Sequence, residues 1–358
     1  MWIDGWSVRR RALAIALFVL VLLALAAAPR ARDYARATLL FAEGIIGASG
    51  PLRWWADEPT TIPVHWNGGF GQLTLPAGDD RVPGVVLVLG ADPAPPEDPR
   101  VRQLISTLAR LDIAVLLPLS EQLVSARVEP GGVAQIVDAV AQLRDQPRVR
   151  GQAVGLAGLS AGASLALVAA ADHRVASDVA FVLAVGPYWN ARSLVASVAS
   201  TSYRRPNGDV VPWRPHQTTV EVVRNTLALH LSDEEVDDIL APASLVEAEQ
   251  RVAALPPAAQ ASLDAVSPAA FAADLVVPIY LLHDRGDEFI PWTESETMAA
   301  LIRPAAYHGI DLFQHVEPAP TSVPVLIRDG WRIVRVLADL LGAFDSPHGS
   351  AARPSSIR

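Results

Sequence analysis

Ser160 stands in Gly158-Leu159-Ser160-Ala161-Gly162, a G-x-S-x-G pentapeptide set between an apolar run and an Ala/Leu-rich helical stretch. The context matters more than the letters. A sharp strand-to-helix turn exposes the hydroxyl, and small flanking residues let backbone pass closely. A serine hydroxyl is a weak nucleophile until a base removes its proton, so this chemistry requires a histidine and an orienting carboxylate later in the fold. Both follow in order. Asp287 lies in His283-Asp284-Arg285-Gly286-Asp287-Glu288-Phe289-Ile290-Pro291 and His315 in Leu312-Phe313-Gln314-His315-Val316, each just after an apolar run. The bland alternatives are a plain turn at Ser160, a solvated loop acid at Asp287 and a satisfied core histidine at His315. Asp284 and Glu288 read as ordinary turn acids, and His283 and His308 as structural or surface histidines. Donors for a developing oxyanion would be the backbone amides of Ala161 and Ala91, after the nucleophile and after the third strand.

Those residues need strands that end where they begin. Residues 62–66 and 72–75 flank Asn67-Gly68-Gly69 and predict an antiparallel hairpin. Strand patterns at 85–89, 113–117, 153–159 and 181–185 then alternate with helical spacing at 101–108, 133–143 and 161–171. That alternation predicts an α/β fold, a mostly parallel central sheet with helices on both faces. Residues 188–273 interrupt it with several helical patterns and no convincing strand, and read as an inserted helical cap. The alternation resumes with strands at 276–282 and 307–313 and helices at 293–302 and 325–341. The resulting division is a membrane anchor or signal segment (1–36), a connector (37–58), two parts of the core (59–187 and 274–345) around the cap, and a disordered tail (346–358).

Composition narrows the partners. A formal charge of -9 offers no basic field for nucleic acid, and the absence of cysteine removes disulfides, thiolate catalysis and Cys-ligated zinc. Arg9, Arg10 and Arg11 precede an uncharged apolar run at 12–28, which predicts one N-terminal transmembrane helix holding the protein to a membrane. A cleaved secretory signal and a buried core helix are the competing readings, and arginines three and three across the run leave the sidedness rule near a tie.

Two other clusters invite chemistry. Ser232-Asp233-Glu234-Glu235 with Asp237 and Asp238 reads as a helix start with a capping box, so no metal is expected there. Tyr188, Trp189, Tyr203, Arg204, Arg205, Trp213 and Arg214 fit a pocket lining, cap packing or a membrane surface equally well. Asp98-Pro99 reads as the N-cap and first position of a helix.

The elbow at Ser160, the loop 283–291 and the His315 segment together resemble the α/β-hydrolase superfamily, in particular bacterial membrane-anchored or secreted hydrolases with a helical cap, over about residues 59–341. Leu89-Gly90-Ala91 departs from the His-Gly that many members carry after the third strand. The resemblance implies a serine hydrolase that cleaves a carboxylic ester, less readily an amide or thioester, through an acyl-enzyme on Ser160, with no cofactor. The implied partner is a small-molecule acyl substrate, and the catalytic domain is placed outside the cytoplasmic membrane. Acyl transfer by the same three residues and an inactive, membrane-tethered binding module remain as alternatives.

Overall fold

The computed structural model describes residues 29–47, 50, 52–91, 98–151, 153–315, 317–318 and 321–344. The apolar run 12–28 and the tail 346–358 lie outside them. Among the described residues no helix is long and apolar enough to cross a membrane.

The chain enters on helix α1 (Pro29–Leu39), which continues into a π-helical segment, Leu40–Ile45. The hairpin follows as β1 (Thr60–Trp66) and β2 (Gly69–Leu75), paired antiparallel from Thr60 opposite Leu75 to Trp66 opposite Gly69. The alternating part runs β3 (Gly84–Val88), α2 (Pro99–Arg110), β4 (Ala114–Pro118), α3 (Pro130–Arg144), β5 (Val154–Leu159), α4 (Ala161–Ala170) and β6 (Val179–Val185). Asp98 caps α2 by accepting the Arg100 N–H, with Pro99 at the first helical position. Between β6 and the next core strand come α5 (Ala191–Ser200), β7 (Ser202–Arg204), β8 (Val210–Pro212), α6 (Gln217–Leu227), α7 (Asp233–Ile239), α8 (Leu245–Ala253) and α9 (Pro257–Ala265). The core closes with β9 (Ile279–Asp284), α10 (Thr293–Ile302), β10 (Ala306–Ile310) and α11 (Val323–Ala343).

Eight strands form one sheet in the order β1-β2-β4-β3-β5-β6-β9-β10. β1 and β2 are antiparallel to their neighbours, and every pairing from β4 to β10 is parallel. Parallel strands buried on both faces read as unbroken apolar runs, and β3 is buried at all five positions. One face packs against α3, α4 and the inserted region, around Leu156, Leu165 and Val182. The other packs against α1, the π-helical segment and α11, around Phe181, Ile310 and Leu337.

Three differences from the sequence reading have physical causes. Residues 202–212 form a small hairpin inside the region read as a helical cap with no convincing strand. Three-residue strands are too short to show a period, and the informative signal was the turn dipeptide Asn207-Gly208, with Gly208 at φ 91°. The strand expected from 276 begins at Ile279, because Val276 faces solvent. Part of the segment read as a connector belongs to the core, since Ala37, Leu40 and Leu52 are buried. The capping box forms as expected at Ser232 and Glu235.

Candidate active site

In a parallel α/β sheet the loops leaving the carboxyl ends of the strands converge on one edge. Ser160 leaves β5 there, Gly90-Ala91 leaves β3, Asp287 follows β9 and His315 follows β10.

Ser160 sits at φ 54°, ψ -132°, a conformation that costs a non-glycine residue energy and persists only where its surroundings hold it. Its N–H donates to the Val185 carbonyl at 2.8 Å, and its carbonyl accepts from Ala163 N–H at 2.9 Å. The flanking glycines are required by contact. A Cβ on Gly158 would stand 2.4 Å from Ala163 Cα, and one on Gly162 would stand 2.1 Å from the Leu89 carbonyl oxygen. Gly90 lies against Ser160, since a Cβ there would be 2.9 Å from Ser160 Cβ. Ala161 opens α4, so its N–H is one of the first-turn amides without a partner inside the helix. Ala91 is buried and lines one cavity with Gly90 and Ser160.

Asp287 is enclosed by donors. Its Oδ1 accepts the backbone N–H groups of Phe289 at 2.7 Å and Ile290 at 3.0 Å. Its Oδ2 lies 2.7 Å from His315 Nδ1 and 3.2 Å from His283 Nε2. Burial pushes this carboxyl up, but the two imidazoles and their hydrogen bonds outweigh it and hold the group well below the usual carboxylate range. An ionised carboxylate only accepts, so His315 Nδ1 must carry the proton, which leaves Nε2 as the basic nitrogen. His315 is buried, at φ 63°, and lines one cavity with Ser160, Gly90 and Ala91.

His283, expected as a structural or surface histidine, is a structural one that also reaches Asp287. Its side chain is fully excluded from solvent, with Nε2 3.0 Å from the Ile290 carbonyl and Nδ1 2.7 Å from Ser295 Oγ. Nε2 faces two acceptors and therefore donates, so Nδ1 accepts from the Ser295 hydroxyl. Asp284 departs from its reading as a solvated turn acid. It is buried, accepts Phe313 N–H at 3.0 Å and Gly286 N–H at 2.8 Å, and its carboxyl is pushed up by burial. Phe313 lies two residues before His315, so Asp284 ties the loop after β9 to the loop after β10. His308 lies on β10, in register with Leu282 of β9.

The inserted region also reaches these loops. Trp213 Nε1 donates to the Asp287 carbonyl at 3.1 Å, and His216 N–H donates to the Glu288 carbonyl at 2.7 Å. The Phe289 ring stacks on His216 at 4.1 Å and on His315 at 4.4 Å, lying between the two imidazoles. Tyr188, from the same aromatic cluster, is buried structure: its hydroxyl donates to the Val266 carbonyl, and burial pushes its ionisation far up.

No family model and no curated protein matches the sequence. Solved structures do. A puromycin-hydrolyzing peptidase of Mycobacterium tuberculosis superposes with a TM-score of 0.52 at 15% identity, over 84% of this chain and 42% of its own. This chain has the α/β-hydrolase fold. Est1E from Butyrivibrio proteoclasticus aligns over 80% of this chain and 99% of its own, with TM-score 0.48 and 11% identity. An esterase of Pyrococcus furiosus aligns over 84% and 96%, with TM-score 0.46 and 10% identity. The chain thus spans less than half of the peptidase. At 15% identity the likeness to the peptidase shows the α/β-hydrolase fold alone and leaves the chemistry to the residues at the sheet edge.

Proposed function

We propose that the protein is a serine hydrolase that cleaves a carboxylic ester through an acyl-enzyme. Ser160 Oγ attacks the carbonyl carbon while His315 Nε2 takes its proton, and the Asp287 carboxylate holds the imidazolium. The backbone amides of Ala161 and Ala91 receive the negative charge that develops on the carbonyl oxygen, one such donor being worth about 3 kcal/mol of barrier. The proton on His315 passes to the departing alcohol, and water then attacks the acyl-enzyme with His315 again as base.

The observation that carries this reading is the buried 2.7 Å contact of His315 Nδ1 with Asp287 Oδ2. It fixes the tautomer that a serine base needs, and His315 lines the same cavity as the strained Ser160. The apolar character of that cavity favours the acyl part of an ester over a polar peptide. The membrane assignment rests on residues 12–28 alone, and carbonate extraction of cell membranes tests it: full release of the chain would remove the anchor.

Turnover of 4-nitrophenyl acetate tests the chemistry. Wild type should hydrolyse it, and folded Ser160→Ala and His315→Ala should each lose at least about a thousandfold in kcat. Equal turnover by all three proteins would overturn the assignment. Turnover that rises with added alcohol and yields a new ester would assign acyl transfer instead.

A further inference from the structure

The cavity that holds Ser160 does not stop at the sheet edge. It has a volume of about 300 Å³ and continues along the face of the sheet beneath α2, α11 and the π-helical segment. Leu87, Ala157 and Leu183 form its floor, and Leu104, Leu337 and Gly44 lie among its roofing residues. Protein interiors are packed to crystal-like density, and a void of this size between sheet and helices is space that ordinary core packing fills. The six residues just named come from three strands, two helices and the π-helical segment, an arrangement a single misfitted side chain would not produce.

Its polarity is one-sided. The polar lining residues are Ser160, His315, Asp98, Arg100 and Thr218, all on the loops or first helical turns at the carboxyl edge of the sheet. Beyond that edge the described lining is Ala, Val, Leu, Ile, Phe and Gly. The lining runs along β3 from Leu89 back to Val85, four residues or about 13 Å of strand. A small volume drawn out over that length is narrow. It suits an unbranched chain, and an extended chain advancing about 1.3 Å per bond covers the distance in about ten bonds.

We propose that this cavity is the acyl-chain site and that the substrate is an ester of a medium-length, unbranched fatty acid, about ten carbons long. This rests on the serine-hydrolase reading above. The chain lies along the sheet with its carbonyl at Ser160. The bond from Ser160 Oγ to the acyl carbon forms as the ester C–O bond breaks, the alcohol leaves with the proton carried by His315, and water then releases the fatty acid.

Two measurements separate the site from the chemistry. The first is kcat/KM for 4-nitrophenyl esters from acetate to palmitate, below their micellar concentrations. Burial of each methylene contributes about 0.8 kcal/mol, about fourfold, so decanoate should exceed acetate by at least about a hundredfold, with a decline for chains longer than the cavity. Leu183→Trp, or Ala157→Phe if the first fails to fold, should lower the decanoate-to-acetate ratio at least about tenfold. The second is displacement of a fluorescent fatty acid by decanoate from the full chain carrying Ser160→Ala, which needs no turnover. Binding without hydrolysis in wild type would sink the hydrolase reading and leave the site standing. Hydrolysis with a flat chain-length profile and no decanoate binding would overturn the site and leave the hydrolase reading intact.

Discussion

At the scale of single residues, the site is organised around filling the Asp287 carboxylate. Four N–H groups converge on it, two from backbone and two from imidazoles, in a place water does not reach. The folded protein therefore holds this carboxyl below its value in the unfolded chain. A depressed carboxylate stabilises the fold fully above the unfolded pKa, near 3.8, and loses that contribution as pH falls through the folded value. Asp287→Asn should lower kcat by about 10⁴-fold. Its stability deficit, measured by urea denaturation, should be largest at pH 5 to 7 and shrink below pH 4. A deficit independent of pH would contradict the assignment of charge. His283→Ala would strand the Ser295 hydroxyl and the Ile290 carbonyl and remove one donor from Asp287, at a cost of about 3 kcal/mol in the same denaturation experiment. Asp287 and His315 were legible from their order after Ser160 and their places behind apolar runs. The contact of His283 with the Asp287 carboxylate was not, because the path of a loop, and so which imidazole folds back onto that carboxylate, is not carried by spacing.

At the scale of elements, the strands and helices that carry the site read directly from periodicity, and α10 matches its expected limits of 293–302. The elbow is where local backbone geometry decides. The Cβ clashes at Gly158 and Gly162 are with main chain, which cannot swing aside as a side chain can. Gly162→Ala should therefore destabilise the protein by at least about 2 kcal/mol, read from the urea midpoint. Gly90→Ala meets the side chain of Ser160, the proposed nucleophile, so its loss should appear in ester turnover more than in stability. The hairpin β7–β8 escaped the sequence reading because its strands are three residues each, and the contacts of Trp213 and His216 with the acid loop are tertiary, with no period to betray them.

At the scale of the whole molecule, α1 and the inserted region brace the core from outside the alternating pattern. Tyr34 stacks on Trp331 at 5.5 Å and Asp33 and Ala37 are buried, so a chain beginning at residue 37 should be less stable than one beginning at 29, by at least about 2 kcal/mol in urea. The sequence reading placed the domain start near residue 59, because a short amphipathic helix does not announce which surface it covers. The inserted region touches the loop that carries Asp287 through Trp213 and His216, and the Phe289 ring of that loop stacks on both His216 and His315. The central claim remains the activated serine. It is tested most directly by treating the folded protein with a fluorophosphonate and locating the adduct by peptide mass spectrometry. The account predicts a single adduct on Ser160, lost in His315→Ala. No adduct on a folded wild type, or an adduct elsewhere, would contradict it.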